Sequence, residues 1–162
     1  MRIALIADTH GALDARIADA VRGADLLVHA GDVGVGVEAE LAPLAKDVVI
    51  VQGNNDPADS GWPESVRLDL PGGELAVMHG HQWPAKTRHG KLRDAFPAAA
   101  AIVCGHSHRR VLDDTTDPWV LNPGAAGRTR AYGGPGYIEL TANSGRWSTR
   151  LFEYAPLSKR RR

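Results

Sequence analysis

The sequence lacks the features of disulfide-stabilised and membrane-spanning proteins. It contains one cysteine, Cys104, so no disulfide can form within the chain, and we interpret Cys104 as a small core residue. A reducing compartment suits such a chain, and we therefore predict a cytoplasmic location. No run of about 18 apolar residues occurs, so neither a transmembrane helix nor a membrane partner is predicted. Residues 1–7 combine a charged start with a strand pattern, unlike a signal peptide.

A net charge of one sign is also absent. The 19 basic residues balance the 19 acidic ones, and the formal net charge at pH 7 is zero. A strongly basic chain would favour nucleic acid as a partner, so nucleic acid is disfavoured here. With 162 residues of ordinary composition, we expect one domain over residues 1–155 and a disordered basic tail over residues 156–162.

The first part of the sequence alternates short apolar runs with helical patterns. Strands are predicted over residues 2–7, 25–30 and 48–51, and helices over residues 13–21 and 38–45. This alternation indicates βαβ units and a largely parallel sheet.

From residue 65 onwards the pattern changes to strands and turns around one helix. The predicted helix covers residues 86–96, and the predicted strands cover residues 65–70, 74–78, 101–104, 110–112, 119–122, 136–141 and 146–154. No linker separates the two parts of the sequence. We therefore expect one domain with two packed sheets and with helices on the outside.

Polar clusters follow five of the predicted strands. They are Asp8-Thr9-His10, Gly31-Asp32, Gly53-Asn54, His79-Gly80-His81 and Gly105-His106-Ser107-His108. Each cluster alone is a weak signal, but two histidines two residues apart can reach one metal ion or a pair of ions. Because sites in open α/β sheets lie beyond the carboxyl ends of the strands, the clusters can converge on one crevice.

In this order the clusters resemble the calcineurin-like metallophosphoesterases. That family carries Asp-x-His, Gly-Asp, Gly-Asn-x-Asp/Glu, a lone His and Gly-His-x-His, and the resemblance runs from Asp8 to about Arg130. The compact length, the His-Gly-His run and the Asn122-Pro123-Gly124 loop look most like the small YfcE-type phosphodiesterases. The resemblance implies an α/β fold, a four-layer αββα sandwich with two mixed sheets flanked by helices.

The resemblance also implies a site for two divalent transition-metal ions. One metal would be held by Asp8, His10 and His108, the other by Asn54, His79 and His106, and Asp32 would bridge the two. Mixed nitrogen and oxygen ligands suit manganese, our first expectation, and also iron, zinc, nickel or cobalt.

The implied activity is hydrolysis of a small phosphodiester. Two divalent ions, two carboxylates and a bridging hydroxide leave the site with a net charge of about +1, which attracts a phosphate ester. The hydroxide that bridges the metals would attack the phosphorus in line with the leaving group. Asp32 and Asn54 are counted among the catalytic residues because they hold the metals.

Further residues near the ligands are candidates for catalysis or substrate binding. His81 follows the ligand His79, and we expect it to contact the phosphate and to take part in catalysis. Asn55 occupies the position at which many family members carry a histidine that can protonate the leaving group. An amide cannot supply that proton. Arg128, or alternatively Arg130, follows a glycine-rich loop and is a candidate phosphate ligand.

Two other functions stay open at this point. A non-enzymatic scaffold resembling the retromer subunit is one, because that subunit also carries a run like His79-Gly80-His81-Gln82. The complete set of donors favours an enzyme over a scaffold. A nuclease is the other, and the neutral net charge argues against it. A homo-oligomer is compatible with the sequence.

Overall fold

The computed structural model describes residues 1–128 and 130–156. In chain order the elements are β1 (Arg2–Ile6), α1 (Ala15–Val21), β2 (Ala24–His29), α2 (Val37–Leu41), β3 (Ala45–Ile50), β4 (Ser65–Leu70), β5 (Gly73–Met78), α3 (Arg88–Ala95), β6 (Ala101–Val103), β7 (Arg110–Asp113), β8 (Trp119–Pro123), β9 (Gly136–Thr141) and β10 (Ser148–Glu153). Of the basic tail predicted for residues 156–162, only Pro156 is within the described residues. Within those residues no helix has the length and apolar character needed to cross a bilayer.

The strands form two mixed five-stranded sheets. The first sheet has the order β10-β9-β1-β2-β3, and the second has the order β4-β5-β6-β8-β7. Strands β1, β2 and β3 run parallel, as do β5, β6 and β8, whereas β9, β10, β4 and β7 pair antiparallel to their neighbours. Strands β1, β2, β5, β6 and β8 occupy inner positions of their sheets and are mostly apolar, as expected for strands covered on both faces. The parallel strand β3 lies at the edge of the first sheet and carries the exposed Lys46 and Asp47.

Alternating side chains of β1 explain how the layers stack. Ile3 and Leu5 point into the core between the two sheets, whereas Ala4 and Ile6 pack beneath α1 and α2. This alternation follows from the two-residue repeat of a strand. The second sheet is built in the same way, because Ile102 and Cys104 pack with α3 on its outer face. The predicted four-layer αββα sandwich is therefore confirmed.

The thiol of Cys104 belongs to the outer core of the second sheet. Its side chain is fully buried, and burial raises the pKa of this thiol to about 12. A thiol in this setting is not a nucleophile at neutral pH. Cys104 is a packing residue, as the sequence predicts.

One predicted helix is wrong in its extent. The helix predicted over residues 38–45 ends at Leu41, and Ala45 already belongs to β3, where it pairs with Ala24 of β2. Ala42 still has helical backbone angles, and Pro43 then explains the early end because it has no N–H to donate to the carbonyl four residues before it. In α1, Asp14 lies one residue before the helix and caps it by accepting a hydrogen bond from the Arg16 backbone N–H.

The parallel strands bring the polar clusters to one edge of the sandwich. The backbone N–H of Asp8, after β1, donates to the carbonyl of Gly31, after β2, at 3.0 Å. The N–H of Gly105, after β6, donates to the carbonyl of His79, after β5, at 3.1 Å. A Cβ at Gly105 would lie 3.0 Å from both the Ala30 carbonyl oxygen and the Ala7 Cβ, so the ends of the two sheets meet closely here.

The core between the sheets provides a test of this packing. Leu121 on β8 is fully buried there, and Leu121→Ala should lower the free energy of unfolding by about 2–5 kcal/mol, because it leaves a cavity. Leu151→Ala on β10, where the side chain is 37% exposed, should cost less than about 1 kcal/mol. Urea unfolding of both variants measures the difference, and equal losses would contradict the layer assignment.

Candidate metal centre

Four of the predicted ligands form the first donor group: Asp8, His10, Asp32 and His108. One ligand atom from each of them lies within 4.8 Å of the others. Nε2 of His10 is 3.1 Å from Nε2 of His108, which is 3.5 Å from Oδ1 of Asp8. The residues come from the loops after β1, β2 and β6. Two carboxylates and two imidazoles at these distances can surround one cation.

The remaining predicted ligands form the second donor group: Asn54, His79 and His106. Oδ1 of Asn54 lies 3.2 Å from Nε2 of His79 and 3.0 Å from Nδ1 of His106. Asp32 lies between the two groups, since its Oδ2 is 3.4 Å from Nε2 of His79 and 3.7 Å from Nε2 of His10. The structure thus brings all seven predicted donors together, with Asp32 in the shared position.

The carboxylate of Asp8 fits a bound cation. Asp8 is fully buried, and its Oδ2 has no hydrogen-bond partner among the described residues. Burial raises the pKa of Asp8 to about 7, although the charge of His79 partly opposes this effect. A buried carboxylate with an unpaired oxygen is unfavourable unless a positive charge accompanies it. A divalent cation coordinated by this oxygen would supply that charge.

The ring orientation of His79 is set by the backbone. Its Nδ1 lies 2.7 Å from the carbonyl oxygen of Ala30 and donates its hydrogen there. When the ring is neutral, Nε2 is the unprotonated nitrogen, and it faces Asn54 and Asp32. A histidine held by a backbone carbonyl on one side and free to donate its lone pair on the other is typical of metal ligands.

Asp32 is held in its ionised form. Burial alone would raise its pKa, but protonated His79 and the hydrogen bonds from Asn55 outweigh burial and lower the pKa well below its usual range. The Asn55 backbone N–H donates to Oδ1 at 2.9 Å, and its side-chain Nδ2 donates to Oδ2 at 2.7 Å. Asn55 therefore orients the shared carboxylate.

Left-handed backbone marks the same residues. Six described residues other than glycine have a positive φ, and five of them are predicted metal ligands: Asp8, His10, Asp32, His106 and His108. This conformation is unfavourable for residues with a Cβ and costs about 1–3 kcal/mol each. Such strain is retained where the surrounding structure enforces it, most often at functional sites. Arg130, at φ 51°, is the sixth residue.

The carboxylate of Asp56 joins the loops after β2 and β3. Its Oδ2 accepts hydrogen bonds from the N–H groups of Asp32, at 2.9 Å, and Gly53, at 2.8 Å. Its Oδ1 accepts from the N–H groups of Val33, at 2.8 Å, and Gly34, at 3.2 Å. We call these four hydrogen bonds the Asp56 clamp. They place Asp32 against the loop that carries Asn54.

A buried pair, His29 and Thr9, supports the first loop. The Thr9 hydroxyl donates to the carbonyl of Val33 at 2.7 Å, so the 2.8 Å contact with His29 requires Nε2 of His29 to donate to that hydroxyl. Burial lowers the pKa of His29 to about 3, and the ring is neutral. Sequence reasoning did not find this pair or the extent of the Asp56 clamp. The signals available were a histidine within a buried strand and an aspartate two residues after Asn54.

The predicted substrate residues lie at different distances from the donors. The ring of His81 has its centre 5.5 Å from that of His79 and 6.3 Å from that of His106. Arg128 is exposed. The hydrogen bond with Arg16 is the main cause that lowers the pKa of Asp14, and the charge of Arg128 lowers it further. The structure thus relates Arg128 to the start of α1 and leaves its predicted contact with phosphate without support.

Comparisons with known proteins agree with this geometry. A family model described as a calcineurin-like phosphoesterase superfamily domain matches residues 1–145. A probable metallophosphoesterase of Methanocaldococcus jannaschii is 30% identical over 135 residues, which cover 77% of this chain and 68% of the relative.

Solved structures share the fold. Wild-type Vps29 of Entamoeba histolytica, in complex with zinc, superposes with a TM-score of 0.77 at 19% identity, covering 94% of this chain and 99% of that one. The phosphoesterase YfcE of E. coli superposes with a TM-score of 0.67 at 25% identity, covering 87% and 88% of the two chains.

The Asp56 clamp can be tested without any metal. Asp56→Asn replaces an acceptor of four N–H groups by an amide whose NH₂ faces some of the same donors. We expect the free energy of unfolding in metal-free urea titrations to fall by about 3 kcal/mol or more. Asp59→Asn, at an exposed position in the same loop, should change it by less than about 0.5 kcal/mol. Equal stability of Asp56→Asn and the wild type would mean that the clamp does not hold the two loops.

Proposed function

The chain belongs to the calcineurin-like phosphoesterase superfamily, and we propose that it is a phosphodiesterase that works with two divalent transition-metal ions. The observation that carries this proposal is the arrangement of seven donors in two groups that share Asp32. A site for a single metal would need only the first donor group. The second donor group has its own amide oxygen and two imidazole nitrogens, and this supports a second ion.

The ligands divide between the ions as follows in our proposal. Asp8, His10 and His108 hold one ion, Asn54, His79 and His106 hold the other, and Asp32 contributes to both. When bound, two such ions lower the pKa of a water molecule and neutralise the charge that develops on the phosphate. Nitrogen and oxygen donors in this mixture favour manganese, with iron, zinc, nickel and cobalt as alternatives.

The protein's own charges favour a diester as substrate. Asp8 and Asp32 are the acidic donors, and the other five donors are neutral. Two ions with a hydroxide would give the site a net charge of about +1, which matches the single negative charge of a phosphodiester.

The position after Asn54 is Asn55, whose side chain is hydrogen-bonded to Asp32 and has no proton to give a leaving group. Diesters with good leaving groups, such as nitrophenyl esters, should therefore react best.

His81 is the residue we propose as the donor to the phosphate or the leaving group. Its Nδ1 is buried and has no partner among the described residues, and burial lowers the pKa of the ring. The ring is therefore neutral at pH 7. Because a buried N–H without an acceptor is costly, the proton resides on Nε2. From that atom His81 can donate a hydrogen bond to a phosphate oxygen.

A second candidate function is a non-enzymatic scaffold, which the likeness to Vps29 supports at the level of the fold. The two functions differ in one observable result. A scaffold would bind metal without turning over any phosphoester, whereas the proposed enzyme needs the metal for turnover. A nuclease is a weaker candidate, because the formal net charge of zero provides no general attraction for a polyanion.

The metal count gives the first test of this proposal. The manganese-loaded wild type should contain two ions per chain, as measured by inductively coupled plasma mass spectrometry. It should also hydrolyse bis(4-nitrophenyl) phosphate, and chelation should abolish that activity. Asp32→Ala should lose both ions and at least about 100-fold in activity, because it removes the shared ligand. Asp94→Ala, a change at an exposed carboxylate on α3, should retain both.

Two outcomes would count against the proposal. Full activity with a single bound ion would contradict the two-metal site. Two bound ions without turnover of any phosphoester would favour the scaffold.

Substitution of His81 gives the second test. His81→Ala should keep two ions and lose about 100- to 10,000-fold in kcat, because the donor to the phosphate is removed. His89→Ala, on α3 and outside the donor groups, should leave kcat unchanged. Loss of an ion in His81→Ala would show instead that His81 is itself a metal ligand.

A further inference from the structure

Arg88 is a buried cation without an acidic partner. It begins α3 and is 6% exposed, and none of the ion pairs within residues 1–128 and 130–156 includes it. Burial of a charge without a counter-ion is costly, and the positive end of the helix dipole disfavours a cation at the first residue of a helix. Neither an ion pair nor the stability of α3 therefore explains this arginine.

The guanidinium of Arg88 holds the turn that carries His81. Its Nε donates to the carbonyl of Gly80 at 2.7 Å, and its Nη2 donates to the carbonyl of Trp83 at 3.0 Å. These two carbonyls lie on either side of His81 along the chain. Because a guanidinium presents its N–H groups in a rigid planar fork, the two hydrogen bonds together fix the turn between the carbonyls.

Gly80 allows this close approach. A Cβ at Gly80 would lie 3.1 Å from Cδ of Arg88, so a side chain there would press against the aliphatic part of the arginine. Gly80 also has a φ of 91°, which residues with a Cβ rarely adopt. The glycine between the two histidines thus serves the contact with Arg88 as well as the turn.

His79 is fixed without the help of Arg88, whereas His81 is not. The ring of His79 is held by the carbonyl of Ala30 at 2.7 Å, and its own carbonyl accepts a hydrogen bond from the Gly105 N–H at 3.1 Å. The buried Nδ1 of His81 has no hydrogen-bond partner among the described residues. The backbone of the turn therefore sets where the His81 ring lies.

We propose that Arg88 is a positioning residue for His81. By bonding the carbonyls of Gly80 and Trp83, it keeps the His81 ring beside the second donor group, where that ring can donate to a phosphate oxygen. Arg88 acts only through His81 and makes no contact with the substrate. This inference rests on the proposed function for the role of His81, but the position of the ring can be measured without turnover.

Crystal structures of the manganese-loaded protein test the positioning directly. Arg88→Met keeps an unbranched side chain but loses both hydrogen bonds, so the His81 ring should move by about 1 Å or more, while His79 stays in place. Arg93→Met is the matched control, because Arg93 also lies on α3 and donates to a carbonyl, that of Pro118, and it should leave His81 unmoved. An unmoved His81 ring in Arg88→Met would overturn the proposal.

Hydrolysis of bis(4-nitrophenyl) phosphate shows what the displacement does to catalysis. Arg88→Met should keep both metal ions and lower kcat about 10- to 100-fold, because the donor to the phosphate is misplaced. In the His81→Ala background the same substitution should lower kcat less than about twofold, since Arg88 acts through His81. An equal loss of kcat in both backgrounds would indicate a general structural role and would overturn the proposal.

Arg88→Lys is the second variant, and it serves if Arg88→Met does not fold. Lysine keeps the charge but donates from a single nitrogen, so it cannot reproduce the fork, and kcat should fall about three- to tenfold. Wild-type kcat in Arg88→Lys would show that a positive charge suffices, against the proposed role of the two hydrogen bonds.

The two measurements separate this inference from the proposed function. An inactive wild type in which Arg88→Met still displaces His81 would refute the phosphodiesterase and keep the positioning role. An active wild type in which Arg88→Met retains the His81 position and full kcat would refute the positioning role and keep the phosphodiesterase.

Discussion

The candidate metal centre depends on the four hydrogen bonds that the carboxylate of Asp56 accepts. Their donors are backbone N–H groups of the loops after β2 and β3, and so the carboxylate fixes Asp32 relative to Asn54. The approach is so close that a Cβ at Gly53 would lie 2.2 Å from the backbone nitrogen of Asp32. Asp32 is the residue shared by the two donor groups, and the clamp therefore connects them.

In the rest of the centre, hydrogen bonds from neighbouring loops hold the residues that have a strained, left-handed backbone. The left-handed residues of the donor groups are each tied to a neighbouring loop. For example, the His10 N–H donates to the Asp32 carbonyl at 3.0 Å, and the His106 N–H donates to Oδ1 of Asp8 at 3.2 Å. The buried pair of His29 and Thr9 secures the first loop from behind. Such mutual support keeps donor atoms in place that an isolated loop would not hold.

Much of this could be predicted from the sequence, because short apolar runs that end in polar clusters have a simple physical meaning. The two packed sheets with outer helices followed from that pattern, and so did the meeting of the five polar clusters at one edge. The choice of seven donors within those clusters came from the resemblance to the calcineurin-like metallophosphoesterases. The end of α2 was wrong because helical spacing was given more weight than Pro43. The part played by Asn55 could not be predicted, since its contact with Asp32 joins residues 23 positions apart.

In our proposal, one edge of the sandwich holds two metal ions that share Asp32. Anomalous diffraction at the manganese edge, from crystals grown with manganese chloride, tests it most directly. The account predicts two anomalous peaks about 3.5–4 Å apart, one at each donor group, with the Asp32 carboxylate between them. A single peak, or two peaks that do not share Asp32, would contradict it.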